Sequence, residues 1–132
     1  MDFDDLDLSA QAEKGATLEL RHPVTDEVLT GADDKPLTIT VLGSDSPTFK
    51  RVVGDLAQAA QGRKKFTMAE QERNAVNILA RATTGWSDNW VWGGEPFEFS
   101  AENCRKLYAD RPWARSQVDE FIADRSRFFK QA

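Results

Sequence analysis

The chain has 132 residues, 40% hydrophobic and 30% charged, with 22 acids against 17 Lys and Arg and a formal net charge of −5. That length suits one domain with a sizeable core. No run approaches the roughly 18 apolar residues that span a membrane, and a lone Cys104 excludes an intramolecular disulfide and a multi-cysteine zinc site.

The charge is unevenly placed. Asp2, Asp4, Asp5, Asp7 and Glu13 lie in residues 1–13 without a base, and the other 17 acids balance the 17 bases. Residues 1–16 therefore read as a mobile acidic arm. An acidic arm on a neutral body offers no clustered basic face, so nucleic acid is not expected as a partner. Nor is a membrane. The acidic start is unlike a signal peptide and points to a cytoplasmic protein.

From Thr17 the chain reads as a single α+β domain over 17–132. Thr17–His22 alternates with period two, Pro23–Asp26 has turn chemistry, Glu27–Thr30 is a short second strand, and Leu37–Leu42 is a β-branched third. The expected fold is a small three-stranded antiparallel β-meander over 17–43, followed by about four helices over 46–132. So small a sheet needs helices against one face.

Ser46 and Pro47 suit the start of the first helix, whose Phe49, Val52, Val53 and Leu56 share one face. Thr67-Met-Ala-Glu70 is a capping-box pattern opening a second helix, which should stop at Gly85. Ser100 can cap a third helix, and Pro112 restarts the chain into a fourth that carries Trp113, Val118, Phe121, Ile122, Phe128 and Phe129 inward.

Between the second and third helices lies an aromatic loop over 85–99, with Trp86, Trp90, Trp92, Phe97 and Phe99 among Gly, Pro, Asn and Ser. Surface loops are usually polar, so these rings either pack as a small core or meet a partner. Trp90 and Trp92 are two apart, as on one side of a strand. The expectation is that Trp86, Phe99 and Trp113 anchor the loop and the helices, while Trp90, Trp92 and Phe97 bind a partner.

Catalytic residues are sparse. Cys104 would need His22, the single histidine, as a base, and the two belong to elements far apart in sequence. Asp33-Asp34 and Asp119-Glu120 are adjacent pairs, which neither a glycosidase nor a metal cage favours. No phosphate loop, dinucleotide fingerprint or His-Glu-x-x-His occurs. A non-enzymatic protein with no cofactor and no metal is expected.

The series Leu18-Glu-Leu-Arg-His-Pro23, Leu37-Thr-Ile-Thr-Val-Leu-Gly43, Asp45-Ser46-Pro-Thr-Phe49, Leu79-Ala-Arg-Ala-Thr-Thr-Gly-Trp86, Phe97-x-Phe99-Ser100-x-Glu102-Asn103, Pro112-Trp113, Gln117-Val118 and Arg125-Ser-Arg-Phe128 resembles the tail assembly chaperones of long-tailed bacteriophages and prophages. The resemblance runs over roughly residues 17–129, and its elements come in the family's order. It implies a protein of the host cytoplasm that coats the tape-measure protein, helps recruit tail-tube subunits and is absent from the mature virion. Many members are also made in a longer, frameshifted form. Self-association along the tape-measure protein is a further expectation. The alternatives are a structural minor tail or connector protein of the virion, and a small enzyme using Cys104.

Overall fold

A computed structural model describes residues 2–3, 7–59 and 67–129. Its elements are α1 (Ser9–Lys14), β1 (Ala16–Glu19), β2 (Thr38–Val41), α2 (Pro47–Ala59), α3 (Met68–Ala82), β3 (Thr83–Trp86), β4 (Val91–Trp92), β5 (Glu95–Pro96), α4 (Ala101–Asp110) and α5 (Pro112–Ala123). A 3-10 turn, Arg125–Arg127, follows α5. The fold is α+β, with a three-stranded antiparallel sheet in the order β1-β2-β3 and a separate two-stranded β4-β5 pair.

The period-two pattern sorts the sheet's faces. Ala16, Leu18, Ile39 and Val41 are buried, while Thr17 and Thr40 join hydroxyls at 2.8 Å on the opposite face. The buried face packs with Val76, Leu79 and Ala82 of α3, Cys104, Leu107 and Tyr108 of α4, and Ala114, Val118 and Ile122 of α5. Helices thus cover the one face that a small sheet must hide.

The expected third strand is present as β2, but the sheet's remaining strand comes from outside the expected meander. It is Thr83–Trp86, which leaves α3 with no intervening loop and pairs with β2. The helix ends at Ala82 rather than Gly85 because its last carbonyls find partners outside the helix. Leu42 N–H donates to Ala82 O at 2.8 Å, and Thr83 Oγ1 donates to Leu79 O at 2.7 Å. The β-branched pair Thr83-Thr84 then favours extended backbone.

The expected strand Glu27–Thr30 pairs only through isolated bridges, Arg21 with Val28 and Thr30 with Pro36. Its neighbours turn sharply, with positive φ at Asp26 and Asp34. Three leucines close the junction in a ring of backbone bonds, each 2.9 Å: Leu20 N–H to Leu37 O, Leu37 N–H to Leu29 O, and Leu29 N–H to Leu20 O.

The expected mobile arm is also corrected from Ser9 onward. Ser9–Lys14 is helical, with Ala12 buried. Glu13 reaches the start of α2, accepting from Ser46 Oγ and Thr48 Oγ1 and from Thr48 N–H at 3.1 Å. A carboxylate suits a helix N-terminus, where free N–H groups and the macrodipole favour negative charge. These bonds hold the Glu13 carboxyl below its ordinary value, Ser46 contributing most.

The helix starts follow their caps. Thr67 and Glu70 form the reciprocal capping box, and Ser100 Oγ accepts from Asn103 N–H at 3.0 Å. At the other end α5 stops at Ala123, short of the expected span. Asp124 Oδ1 accepts from Ser126 N–H at 3.1 Å and resets the chain into the 3-10 turn. Phe128 still reaches the core, whereas Phe129 is exposed. The basic cluster Arg63-Lys64-Lys65, expected to be solvated near a helix end, and Lys130, expected in the last turn of the fourth helix, lie outside the described residues.

Candidate protein-binding site

The aromatic segment forms a hairpin. Val91 pairs with Pro96 and Trp92 with Glu95, leaving Gly93-Gly94 as a two-residue turn with φ of 63° and 83°. Positive φ at both positions defines the turn whose twist matches paired strands, and glycine adopts it without steric cost.

Trp86, at the end of β3, is the hub. Trp90 stacks on it at 4.8 Å and Phe97 at 5.4 Å, while Phe99 meets it edge-on at 5.1 Å. Trp86 Nε1 donates to Phe97 O at 3.1 Å, and Trp90 Nε1 to Ser87 Oγ at 3.0 Å, so both indole N–H groups are satisfied. Each such ring pair adds about 0.5–1.5 kcal/mol beyond the burial of its area.

Asn89 fastens the hairpin to the turn before β2. Its Nδ2 donates to Asp33 Oδ1 and to Lys35 O, each at 2.9 Å. The Asn89 bond, followed by that from Lys35 N–H, lowers the Asp33 carboxyl from its ordinary value. Gly31 allows this approach, since a Cβ there would stand 2.2 Å from Asn89 O. No local sequence signal marks this brace, because its halves are more than fifty positions apart.

The rings divide differently from the sequence expectation. Trp90 and Phe97, expected to face a partner, are only 6% and 7% exposed. Phe99, expected as an inner anchor, is 38% exposed. Trp86 and Trp113 are half-buried and pack against the core, as anchors should. Alternation correctly places Trp90 and Trp92 together, but gives the period without the phase. Trp90 lies on Trp86 and Trp92 on Phe97, and Val91 between them is 52% exposed. Val91 is the residue that the sequence reading missed, and its opposite parity to the two tryptophans was the available signal.

Trp92 lies at the boundary. It tilts against Phe97 at 4.9 Å, and Lys106 Nζ and the Arg111 guanidinium lie 4.7 and 4.6 Å from its ring centre. Both cations are drawn to the negative face of the indole. Val91 and Phe99 are thus the exposed apolar side chains of the segment, and Lys106 and Arg111 lie over Trp92.

The catalytic candidates do not assemble. Cys104 is fully buried, and burial pushes its thiol up to about 11. Its Sγ faces Ala80 O at 3.9 Å. His22 is exposed, and its Nδ1 accepts from the Val24 and Thr25 N–H groups at 3.1 and 3.2 Å, which makes it a turn cap. Nucleophilic cysteines are accessible and carry a lowered pKa; Cys104 has neither property. Tyr108 O–H and Thr83 Oγ1 meet at 2.7 Å in the core beside it, and burial is also the main cause raising the tyrosine's pKa. Among the described residues no group of three or more His, Cys, Asp and Glu could hold a metal ion, and no helix is long and apolar enough to cross a membrane.

No family model matches the chain, and no solved structure matches it. Archaeosine synthase of Haloferax volcanii is 39% identical over 56 residues, which are 42% of this chain and 10% of that protein. The likeness is local, and the chain spans about a tenth of that relative's length.

Proposed function

We propose that this chain is a non-enzymatic binding protein, a tail assembly chaperone of a long-tailed phage or prophage. It would hold the tape-measure protein and help recruit tail-tube subunits in the host cytoplasm. The observation that carries the binding half of this reading is the exposure of two apolar side chains in this segment, Val91 in the hairpin and Phe99 edge-on to the Trp86 ring. Apolar groups held on a preorganised scaffold, with a polar rim to keep them soluble, suit a holdase for amphipathic helices. The identity of the partner rests on the ordered resemblance over residues 17–129.

Three motif residues of the resemblance have architectural roles. Trp86 centres the ring cluster, Ser100 caps α4, and Pro112 opens α5. Each serves architecture, and none is poised for bond-making chemistry. The withdrawn Cys104 weighs against the small-enzyme alternative. The local likeness to archaeosine synthase covers too little of that protein to carry its activity here.

Co-expression with a tape-measure protein of a long-tailed phage, followed by pull-down, tests the reading. The wild-type chain should retain that protein in the soluble fraction. A Val91→Asp, Phe99→Ser variant should lose it while keeping its helical circular dichroism. Retention by the variant at the wild-type level would refute the hairpin surface as the site. Abundant copies in purified mature particles would instead favour the virion-component alternative.

A further inference from the structure

β1 is an edge strand, and its outward backbone groups can be assigned from the register. Leu20 N–H donates to Leu37 O at 2.9 Å, and the register continues as Leu18 with Ile39 and Ala16 with Val41. In an antiparallel pair, hydrogen-bonded and non-hydrogen-bonded positions alternate. Thr17 and Glu19 therefore turn their N–H and C=O groups away from β2. The close Thr17–Thr40 hydroxyl contact, 2.8 Å, is what a non-hydrogen-bonded pair predicts.

Arg21 presents the same outward pair two residues further on, and there the edge is covered. Its N–H donates to Gln117 Oε1 at 2.9 Å, and its C=O accepts from Gln117 Nε2 at 2.7 Å. One side-chain amide of α5 thus takes the place of a neighbouring strand. Over Thr17 and Glu19 there is instead an open groove of about 510 Å³, bounded across from the strand by Glu120, Phe121 and Asp124.

The groove's charge selects its occupant. Glu19, Asp26, Glu120 and Asp124 line it against the guanidinium groups of Arg21 and Arg127. Asp124 pairs with Arg127 at 3.4 Å, while Glu19 and Glu120 form no ion pair among the described residues. We propose that this groove takes an extended segment of a partner protein with Lys or Arg at alternate positions, added to the β1 edge as a fourth strand. Main-chain bonds to Thr17 and Glu19 would hold it, and its alternate cations, on the α5 side of the added strand, would meet Glu120. A second copy of this chain suits the edge less well. Two-fold pairing of β1 would bring the acidic groove against its own like charges. The proposal concerns a different surface from the hairpin and does not rest on the chaperone reading.

A fluorescein-labelled hexapeptide of alternating lysine and valine, titrated into the full chain at low salt, tests it. Saturable binding is expected, with slowed amide exchange at Thr17 and Glu19. Glu120→Lys, on the far wall, should weaken binding at least tenfold. Glu19→Pro should do the same by removing an outward N–H that β2 does not use. The matching glutamate/valine peptide should not bind. The proposal is overturned by no binding of the basic peptide, by equal binding of the acidic one, or by binding that leaves both amides unprotected. A dimer in sedimentation that Glu19→Pro abolishes would overturn it in favour of a second copy.

Discussion

The side-chain amide of Gln117 makes both backbone hydrogen bonds of Arg21, accepting at 2.9 Å and donating at 2.7 Å across 96 residues of chain. It ties α5 to the strand that begins the sheet. Gln117→Ala should cost about 1 kcal/mol, since water can replace part of what is lost at this exposed position. Gln117→Glu should cost more at neutral pH, because a carboxylate cannot donate to the Arg21 carbonyl. Urea denaturation should show that order, and acidification should narrow the gap as the new carboxyl gains a proton. Equal stability of all three proteins would mean that the amide bridge contributes nothing.

The ring cluster should answer unequally to truncation. Trp86 touches Trp90, Phe97 and Phe99, so Trp86→Ala should cost about 3–5 kcal/mol. Trp92, half-buried like Trp86, meets one ring, Phe97, with Lys106 and Arg111 over its face, so Trp92→Ala should cost only about 1–2 kcal/mol. Thermal melts of the two variants would test this, and equal losses would remove Trp86 from its central role.

The turn offers a backbone test. Gly93→Asn should be nearly neutral, since asparagine tolerates left-handed backbone. Gly93→Val should cost about 1–3 kcal/mol through strain at φ 63°. A Cβ at Gly93 meets nothing within 4 Å, so crowding at the Cβ does not enter the comparison. Denaturation midpoints that coincide would show that the turn is not held in this form.

Much of the fold was legible because its signals are local. Thr67 with Glu70 and Ser100 with Asn103 cap helices within three residues, and the alternation through Leu18 and Ile39 names the buried face of the sheet. What was missed depends on distant partners. Thr83–Trp86 reads as a helix end until β2 is beside it. The inward turn of Trp90 depends on Trp86 and Phe97 being in place, and Glu13 becomes a cap only when Ser46 is near. Spacing in a short strand shows which residues share a side, but the rest of the core decides which side is inside.

The docking of α1 on α2 should depend on pH. Glu13 is held below its ordinary value of 4.5 by bonds from Ser46 and Thr48. The unfolded chain therefore binds more protons here than the native one, and stability rises with pH through this window. The contribution is present above pH 4.5 and is lost as pH falls through the lower native value. Glu13→Gln should flatten that part of the profile, leaving the share of the other lowered carboxyls, such as Asp33 and Asp124. Denaturation midpoints between about pH 6 and pH 3 would reveal the difference. Parallel profiles for the two proteins would show that the Glu13 bonds do not persist in solution.

Cys104 gives the sharpest test of the reactive-thiol alternative. Its pKa is raised from 9.0 to about 11, mainly by burial. While the core stays closed, the thiolate population at pH 8 is about a hundredfold below that of an unperturbed cysteine. The fully buried sulfur must also wait for the core to open. Iodoacetamide labelling followed by mass spectrometry should therefore be slow in the native chain and rise with urea in step with unfolding. A rate independent of urea would show access without unfolding. If that rate also matched an exposed cysteine, Cys104 would be restored as a candidate nucleophile and the binding-protein reading would lose one of its supports.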